Sequence, residues 1–594
     1  MNSSDANAEL RRGALAWLEE DPDPVTADAL RALLEQDDVA ALSDAFGARL
    51  EFGTAGLRGV LGPGPNRMNR SVVIRTAAGL CAYLTRTVPD AAQRGLVIGY
   101  DGRRNSRRFA EDTAEVCAGF GVTAYLFPTL GPTPLLAFAV TELGCAAGVM
   151  VTASHNPPEY NGYKVYGGDG AQIVPPVDRD IAAAIDAVGP LVTVARPILK
   201  EARGRGLVRD VPTEVEAKYL DAVYALGQHP GVGADLVIAY TPLHGVGHRL
   251  ARMALARAGF AHVHAVAEQA EPDEAFSTVA FPNPEEKGAM DLVLALAART
   301  GAELVIANDP DADRLAVATR TSAGGYVQLT GNEVGALLGY YTLVDDPRPP
   351  SGPGERLVVT TIVSSPLLGA LARSVGARYE ETLTGFKWIS HRAIDVERES
   401  GARFVFGYEE ALGYTVGTAV RDKDGIGAAR VFAELAGYYR DVHGRSVLEQ
   451  LDEVYRRVGV FVSGQHNVTL KGLDGASRIA TIMDGFRASP PARVGDAAVA
   501  TVTDVLRGER WRPEAREASR EKLALPPSNV IAYGLEDGSR ITLRPSGTEP
   551  KIKYYFDIRE PVRDGEPVDA ARARAKTRLA ALTTAFVALA DAYG

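Results

Sequence analysis

The chain has few cysteines and no long uninterrupted apolar run. Only three cysteines occur among its 594 residues and none forms a CxxC pair, so we expect buried reduced thiols rather than disulfides or a zinc site. The longest stretch without charge, residues 116–141, contains three glycines and three prolines, which is unlike a membrane-spanning helix. The N-terminus lacks the basic start and apolar core of a secretory signal. These absences predict a cytoplasmic protein without a transmembrane helix.

An excess of positive charge is also lacking. The chain has 64 lysines and arginines against 75 acidic residues, giving a formal net charge of −11. A surface of this sign repels nucleic acids and anionic membranes, so neither is expected as a partner. The GxxxxGK[ST] pattern of P-loop proteins does not occur in the chain. A phosphorylated substrate would therefore need a local basic pocket of a different kind.

The first third of the chain alternates short apolar runs with amphipathic stretches. This pattern is typical of α/β structure. Such a long chain is expected to form three to five domains, and its 46% apolar and 23% charged residues match ordinary globular proteins. The pattern predicts strands at residues 96–100, 123–127 and 146–151, with helices at 107–120 and 133–143. Later in the chain it predicts a helix at 425–443 and a strand at 541–543.

One apolar motif recurs. The segment Leu96–Tyr100 (LVIGY) is repeated as LVIAY at Leu236–Tyr240 and more loosely as LVVTT at Leu357–Thr361. Each copy is followed by helices and then by an apolar strand that runs into a polar loop. Since ligands of open α/β sheets bind beyond the carboxyl ends of the strands, we expect these loops to meet in one cleft. The sequence therefore predicts three tandem related α/β domains with mixed sheets and a C-terminal α+β domain around a central cleft, with bounds 1–210, 211–325, 326–458 and 459–594.

Three carboxylates lie two residues apart in the loop after the second apolar strand: Asp309, Asp311 and Asp313. Such a tight loop can direct hard oxygen ligands at a divalent cation. A calcium EF-hand would need glycine and glutamate where the chain has Arg314 and Arg320, so that alternative fails. A solvated acidic turn is disfavoured because apolar strand-like runs frame the loop. An incomplete carboxylate cage suits magnesium.

Ser154 follows the third predicted strand and is followed by His155. A serine-hydrolase interpretation is weak because the surrounding residues do not form GxSxG. A serine in such a turn also commonly does no more than hydrogen-bond the local backbone. Lys164, further along, is either a general acid or base returning to this loop or a solvated lysine.

The segment Arg544–Lys553 combines hydroxyls, glycine and cations in one turn. Its composition suits a phosphate cradle, although an ordinary exposed polar turn remains the alternative. Glu409 follows a predicted strand and offers oxygens to sugar hydroxyls, as a surface glutamate also would. Arg58 and Lys387 lie in glycine-containing loops, where they are either site cations or solvated ones.

Together these segments resemble the α-D-phosphohexomutase superfamily, in the order serine loop, metal loop, sugar loop and phosphate loop. The longer bacterial phosphoglucomutases and the animal phosphoglucomutase-2 group are most similar. The resemblance implies that Ser154 is phosphorylated and that it binds Mg²⁺ together with the three aspartates. It implies catalytic roles for Lys164, Arg58 and Lys387. It assigns substrate binding to Thr54, His155, Arg314, Glu409, Arg544, Ser546, Gly547, Thr548 and Lys553.

The activity implied is a mutase that interconverts glucose 1-phosphate and glucose 6-phosphate through phosphoserine and a sugar bisphosphate. Mannose or pentose phosphates are further expected substrates. Many relatives carry a serine two residues after the sugar-loop glutamate, whereas this chain has Ala411 and lacks that hydroxyl. A glucose-1,6-bisphosphate synthase and a non-enzymatic sugar-phosphate sensor remain alternatives.

Overall fold

Two compact units make up the chain. One unit comprises residues 1–329, 385–391 and 412–441, and the other comprises residues 330–384, 392–411 and 442–594. Parts of the third predicted domain therefore belong to the first unit. The computed structural model describes residues 3–51, 56–347, 355–470, 475–515, 517–546 and 551–593.

Three helices precede the first sheet: α1 (Ser3–Glu20), α2 (Pro24–Glu35) and α3 (Val39–Phe46). The side chains of Asp23 and Asp38 accept hydrogen bonds from backbone amides in the first turns of α2 and α3, which satisfies donors that have no partner within the helix. Leucines from α2 and α3 pack with Ala14 of α1 in a small separate core.

The first sheet has six strands: β1 (Leu57–Val60), β2 (Leu96–Tyr100), β3 (Ala124–Leu126), β4 (Ala147–Val151), β5 (Tyr160–Gly167) and β6 (Val208–Asp210). Their order is β1-β5-β4-β2-β3-β6. The pairs β3-β2-β4 are parallel, and β5 runs antiparallel to β4. Every residue of β2 and β4 is buried, as expected for parallel strands covered on both faces. The associated helices are α4 (Arg70–Thr87), α5 (Ala91–Arg94), α6 (Ser106–Gly119), α7 (Thr133–Glu142), α8 (Val177–Asp186) and α9 (Leu199–Gly204).

The second sheet repeats this arrangement with β7 (Val237–Thr241), β8 (His262–Ala265), β9 (Leu304–Ala307), β10 (Ala316–Arg320) and β11 (Tyr326–Gln328). The order is β11-β10-β9-β7-β8. The strands β8-β7-β9 are parallel, and β10 is antiparallel to β9. Its helices are α10 (Thr213–Ala225), α11 (His248–Arg257) and α12 (Asp291–Thr300).

The third segment contains β12 (Arg356–Thr361), β13 (Arg378–Thr382), β14 (Arg403–Glu409) and β15 (Gly413–Val416). Strand β12 pairs in parallel with both β13 and β14. Its helices are α13 (Gly331–Leu343), α14 (Leu367–Ser374), α15 (Phe386–Ser400), α16 (Gly425–His443) and α17 (Val447–Val458).

The C-terminal segment is an antiparallel sheet covered by helices α18 (Gly475–Ala488) and α19 (Val568–Tyr593). Its main path runs β16-β23-β22-β21-β18-β19-β20, and β17 pairs with β18. Phe486 and Phe586 from the two helices stack at 5.0 Å in its core. The strands are β16 (Val460–Thr469), β17 (Arg493–Val494), β18 (Ala497–Asp504), β19 (Glu509–Trp511), β20 (Glu521–Lys522), β21 (Ile531–Leu535), β22 (Arg540–Pro545) and β23 (Lys551–Glu560).

The predicted fold class is confirmed. Strands β2, β7 and β12 carry the repeated motif, and each lies between two parallel neighbours that come later in the chain. Consequently β4, β9 and β14 occupy equivalent positions in the three sheets. The serine, aspartate and glutamate predicted for the site directly follow or end these three strands. None of the helices in the described residues has the length and apolar character needed to cross a lipid bilayer.

Candidate active site

Ser154 lies in the loop after β4. Its backbone is left-handed, with φ of +53°, and its amide donates to the hydroxyl oxygen of Thr152 at 2.9 Å. The Ser154 Oγ donates to Asp309 Oδ2 at 2.8 Å and lies 3.1 Å from His155 Nδ1. The loop therefore presents a serine oxygen directly to the aspartate cluster, within hydrogen-bonding distance of both a carboxyl group and an imidazole.

The serine loop is held from behind by Arg103. Its buried guanidinium donates to the carbonyl of Ser154 at 2.7 Å and to that of Pro157 at 2.8 Å, and it also contacts the carbonyl of Asn156. Asp101 faces Arg103 at 3.3 Å and accepts the Thr152 hydroxyl at 2.6 Å. Burial raises the pKa of Asp101, whereas Arg103 opposes that shift. The loop conformation thus rests on a buried ion pair.

The three predicted metal ligands lie together after β9. Ligand oxygens of Asp309, Asp311 and Asp313 are all within 4.8 Å of one another, and all three residues are buried. Ala312 between them adopts φ of +56°, which turns the loop so that alternate side chains converge. Gly245 packs against this loop so closely that a Cβ atom there would lie 2.3 Å from the Cα of Pro310.

The donor set of this cluster suits a hard cation. Oδ1 of Asp311 and Oδ1 of Asp313 are buried and have no hydrogen-bond partner among the described residues. A buried carboxylate oxygen without a partner is costly. Three buried carboxyl groups, two of which have an oxygen without a hydrogen-bond partner among the described residues, therefore fit a divalent cation that prefers oxygen ligands.

Lys164 lies in β5 and reaches the same cluster. Its Nζ donates to Asp311 Oδ2 at 2.7 Å and to Asp313 Oδ2 at 2.9 Å. The Thr133 hydroxyl at the start of α7 also donates to Asp311 Oδ2, at 2.6 Å. The buried ammonium ion is therefore a cation of the site and not a solvated lysine.

Burial and charge set different pKa values for the three aspartates. Burial and the charge of Asp311 raise the pKa of Asp309 well above its ordinary value. Burial also opposes ionisation of Asp311 and Asp313, but Lys164 keeps the pKa of each below the ordinary value, with Lys423 contributing at Asp313. Burial lowers the pKa of Lys164, but the two carboxylates outweigh it and raise the pKa.

Three further predicted residues lie around the serine. The guanidinium of Arg58 donates to Asn156 Oδ1 at 2.9 Å, and the pKa of Arg58 is lowered by burial and by Arg314. The backbone amide of Arg314 donates to Asp309 Oδ1 at 3.0 Å. Burial, Arg314 and Arg58 lower the pKa of His155 well below its ordinary value, so this imidazole is neutral at pH 7. The surroundings of Ser154 thus combine cations with a neutral hydrogen-bonding ring.

Lys423 is a site residue that the sequence interpretation missed. Its Nζ lies 3.3 Å from Asp313 Oδ2 and 3.6 Å from Asp422 Oδ1. The turn that carries it packs tightly on the metal loop, since a Cβ at Gly425 would lie 2.2 Å from the Arg314 carbonyl oxygen. The signal was present in the sequence as alternating charges, Asp422, Lys423 and Asp424, directly before α16.

Lys387 is buried near the start of α15, with its Nζ 5.7 Å from the centroid of the Trp388 ring. Burial lowers the pKa of Lys387 below its ordinary value, and the charge of Asp178 partly offsets this effect. Its catalytic role remains a prediction. Thr54 lies outside the described residues.

The second unit carries the other predicted binding residues. Glu409 ends β14 and is buried. Arg544 in β22 is paired in register with Lys553 in β23, so two cations lie side by side at this end of the sheet. The Ser546 amide donates to the Lys551 carbonyl at 2.7 Å, which starts the turn between the two strands. Gly547 and Thr548 of the predicted phosphate loop lie outside the described residues.

Family models match the chain in four successive segments. Residues 49–190, 217–324 and 330–458 match the phosphoglucomutase/phosphomannomutase alpha/beta/alpha domains I, II and III. Residues 496–573 match the C-terminal domain of the same family. The four segments together span most of the chain.

Similar proteins include several sugar-phosphate mutases. The "Probable phosphomannomutase" of Haemophilus influenzae is 42% identical over 86% of this chain and 96% of its own length. The "Phosphopentomutase" of Homo sapiens is 35% identical over 94% of this chain and 93% of its own length. A "Phosphoglucomutase" of Staphylococcus aureus is 35% identical over 92% of this chain and 95% of its own length.

Solved structures show the same fold. Parafusin (phosphoglucomutase) from Paramecium in an open form superposes with a TM-score of 0.64 at 18% identity, over 91% of this chain and 96% of that chain. A phosphoglucomutase/phosphomannomutase family protein from Burkholderia thailandensis gives a TM-score of 0.61 at 19% identity, over 89% of this chain and 96% of that chain.

Proposed function

Because the chain belongs to the phosphoglucomutase/phosphomannomutase family, we propose that this phosphosugar mutase interconverts glucose 1-phosphate and glucose 6-phosphate through a phosphorylated Ser154. The observation that carries the proposal is the contact of 2.8 Å between Ser154 Oγ and Asp309 Oδ2 within a buried cluster of three carboxylates and two lysines. A serine in this position lies beside carboxyl groups that can bind a divalent cation and close to cationic side chains, and such positive charge stabilises a phosphoryl group during transfer.

The proposed reaction has two transfers. In the first, a sugar hydroxyl attacks the phosphoserine phosphorus, the bond from phosphorus to Ser154 Oγ breaks, and a sugar bisphosphate forms. The attacking hydroxyl loses its proton and the Ser154 oxygen gains one, and Lys164 is the proposed carrier. The bisphosphate then reorients, so that its other phosphate faces Ser154. Ser154 Oγ attacks this phosphate, the bond from phosphorus to the sugar oxygen breaks, and phosphoserine forms again. Atoms and charge balance over the cycle, and the phosphoenzyme is regenerated.

The residues around Ser154 divide this work. Arg103 fixes the loop that presents the oxygen, and Arg58 and Arg314 supply positive charge close to it. His155 is held neutral, so it contributes a hydrogen bond near Oγ without adding charge. Glu409 would hold sugar hydroxyls, while Arg544, Ser546, Gly547, Thr548 and Lys553 would hold the phosphate that is not being transferred.

We further propose Mg²⁺ as the cofactor, held by Asp309, Asp311, Asp313 and an oxygen of phosphorylated Ser154. Support comes from the buried Oδ1 atoms of Asp311 and Asp313, which have no hydrogen-bond partner among the described residues. The bound cation would offset negative charge on the transferred phosphoryl group. Magnesium also tolerates an incomplete protein cage that substrate oxygens complete.

Chelation and Asp311→Asn test the cofactor. Removing magnesium is expected to abolish turnover and lower the thermal midpoint. Asp311→Asn should require more added Mg²⁺ to recover either property, because one charged ligand is lost. Asp564→Asn, an exposed aspartate, serves as control. Full activity of the metal-free protein, with metal content verified, would reject the cofactor proposal.

Glucose is the proposed preferred sugar, with mannose and pentose phosphates as further substrates. Relatives of similar identity are named for glucose, mannose and pentose phosphates, which supports this range of substrates. Coupled assays of glucose, mannose and ribose phosphates test it, with kcat/KM compared across sugars. The largest value for a sugar other than glucose would overturn the preference. Net release of glucose 1,6-bisphosphate from glucose 1-phosphate, with 1,3-bisphosphoglycerate as the phosphoryl donor, would identify a synthase instead.

A further inference from the structure

Arg540 connects the C-terminal sheet to the third segment within the second unit. The residue is buried at the start of β22. One guanidinium nitrogen donates to Glu381 Oε1 of β13 at 2.6 Å, and the other donates to the carbonyl of Ser364. Asp557 in the neighbouring strand β23 lies 3.9 Å from the second nitrogen. A single buried side chain thus connects β22 to the loop after β12. Strand β22 leads into the predicted phosphate-binding turn, which is part of the segment Arg544–Lys553.

Ser364 also contacts the predicted sugar-binding loop, which is the loop that contains Glu409 and Glu410. Its hydroxyl donates to Glu410 Oε2 at 2.8 Å, and the Glu410 amide donates back to the same hydroxyl oxygen at 3.2 Å. Glu410 directly follows Glu409, the predicted ligand of sugar hydroxyls. One fully buried serine therefore binds Arg540 through its carbonyl and the sugar-binding loop through its hydroxyl.

A second set of contacts holds the other side of Glu409. The hydroxyl of Tyr408 donates to Asn332 Oδ1 at 3.1 Å, and Asn332 Nδ2 donates to Ser463 Oγ at 3.0 Å. The Ser463 hydroxyl in turn donates to Asp557 Oδ1 at 2.6 Å. Both neighbours of Glu409 are therefore tied to the C-terminal sheet, in each case beside Arg540.

The far end of the same strands carries the phosphate-binding residues. Strand β22 begins at Arg540 and includes Arg544, which is paired in register with Lys553 of β23. Paired strands are stiff over this length because each residue is held by ladder hydrogen bonds and buried side chains. A shift of Arg540 would therefore move Arg544 together with it.

We propose that Arg540, acting through Ser364, is a positioning residue that fixes the separation between Arg544, assigned to phosphate binding, and Glu409 of the sugar-binding loop. The proposal rests on the assignment of these two loops made above. A fixed separation favours ligands in which the distance between the phosphate and the sugar hydroxyls equals the distance between the two binding loops. Arg540 would thus determine how strongly the enzyme prefers a hexose phosphate over a pentose phosphate.

A general structural role for Arg540 is the competing explanation. It predicts equal weakening of every ligand and a lower thermal midpoint. The positioning role predicts a selective loss of affinity for ligands that contact both loops. The affinity of a ligand that contacts only one loop does not depend on the separation between the loops. Inorganic phosphate is such a probe, since it reaches the phosphate-binding turn alone.

The test uses Arg540→Lys in the full chain, because lysine keeps the charge but cannot bond Glu381 and Ser364 with the same fork. The matched control is Arg559→Lys, since Arg559 also donates to main-chain carbonyls, of Val458 and Asp537. Binding of glucose 6-phosphate, ribose 5-phosphate and inorganic phosphate is measured by calorimetry on a Ser154→Ala background, and KM and kcat are measured with Ser154 present.

Arg540→Lys is expected to weaken glucose 6-phosphate binding roughly tenfold, the size of one charge-assisted hydrogen bond, with a smaller loss for ribose 5-phosphate and none for inorganic phosphate. KM should rise more than kcat falls. Ser364→Ala should act in the same direction, and the double variant should lose less than the sum of the two. Arg559→Lys should leave all three affinities unchanged.

Equal losses for the three ligands, or unchanged glucose 6-phosphate affinity in both Arg540→Lys and Ser364→Ala, would overturn the positioning role. Additive losses in the double variant would separate Arg540 from Ser364 and overturn the route between them. Failure of the Ser154→Ala parent to bind any sugar phosphate would instead overturn the proposed function, and the positioning role with it.

Discussion

Ser154 combines a left-handed backbone with a short contact to Asp309. A φ of +53° is uncommon for serine, and such conformations cost about 1–3 kcal/mol unless the surroundings enforce them. Here Thr152 binds the Ser154 amide and Arg103 binds its carbonyl. The contacts thus hold the loop that carries Ser154 Oγ, the proposed nucleophile, in one conformation before any substrate arrives, which is the preorganisation that catalysis requires.

Asp424 gives a prediction at the residue scale. Burial raises its pKa from 3.8 to about 6, although the Gly427 amide and the Tyr219 hydroxyl favour its ionised form. The native state therefore keeps a proton that the unfolded chain has already lost. Stability from this group falls as pH rises from about 4 to about 6, and the loss is complete above the native pKa.

Asp424→Asn should remove that loss. Relative to the wild type, the variant is expected to gain roughly 3 kcal/mol between pH 4 and pH 7, the equivalent of about two pKa units. Thermal midpoints measured across this range check it, with exposed Asp591→Asn as control. A constant difference between variant and wild type at all pH values would contradict the assignment.

Sequence reasoning reached some site residues and not others for a physical reason. Asp309, Asp311 and Asp313 are close together in the chain, so their common role as metal ligands could be predicted from a single loop. Lys423 and Thr133 contact the same cluster from segments more than a hundred residues away in the chain. Their contribution depends on tertiary contacts, and a single sequence records no such contacts.

The serine loop is the element on which the proposed mechanism depends most, and Arg103 supports it through at least three carbonyl oxygens. Arg103→Lys should lose most of these contacts because an ammonium ion cannot reproduce the planar fork. We expect kcat to fall roughly a hundredfold, the cost of about 1 Å of misplacement, with a smaller change in KM.

Steady-state kinetics check this prediction. The control is Arg104→Lys, since Arg104 is the neighbouring arginine and its side chain is exposed. Retained kcat in Arg103→Lys, with the fold verified by circular dichroism, would show that the loop keeps its shape without the fork.

Element positions followed the sequence pattern closely where the pattern was strong. The predicted strand at 96–100 and the predicted helix at 425–443 match β2 and α16 residue for residue. The predicted strand at 541–543 is only the middle of β22, which extends to Arg540 and Pro545. Arginine and proline at its ends are weak strand formers, and cross-strand pairing with β23 overrides their preference.

At the scale of the whole molecule, each of the three α/β segments carries its predicted site residues at or after the end of an equivalent strand. The serine loop follows β4, the aspartate loop follows β9, and Glu409 ends β14. Repetition of the motif in the sequence made this arrangement predictable. The grouping of residues 385–391 and 412–441 with the first unit was not predictable, because order along the chain assigns them to the third domain.

Arg544 tests the proposed difference in role between the phosphate-binding residues and Ser154. Since it is assigned to the phosphate that is not transferred, Arg544→Ala should lose about 1.5–3 kcal/mol of substrate binding and raise KM roughly ten- to hundredfold. Transfer from phosphoserine to unphosphorylated glucose, which has no such phosphate, should be nearly unaffected. Exposed Arg478→Ala is the control. Equal losses with both acceptors would place Arg544 at the reacting centre or in the fold.

The central claim is that Ser154 carries the phosphoryl group, and mass measurement of the intact protein tests it most directly. After incubation with glucose 1,6-bisphosphate and Mg²⁺, the protein should gain one phosphoryl group, peptide mapping should locate it on Ser154, and adding glucose 6-phosphate should remove it. Ser154→Ala should gain no phosphoryl group and should lose mutase turnover, while exposed Ser489→Ala should behave as the wild type. Phosphate on another residue, or undiminished turnover in Ser154→Ala, would contradict the account.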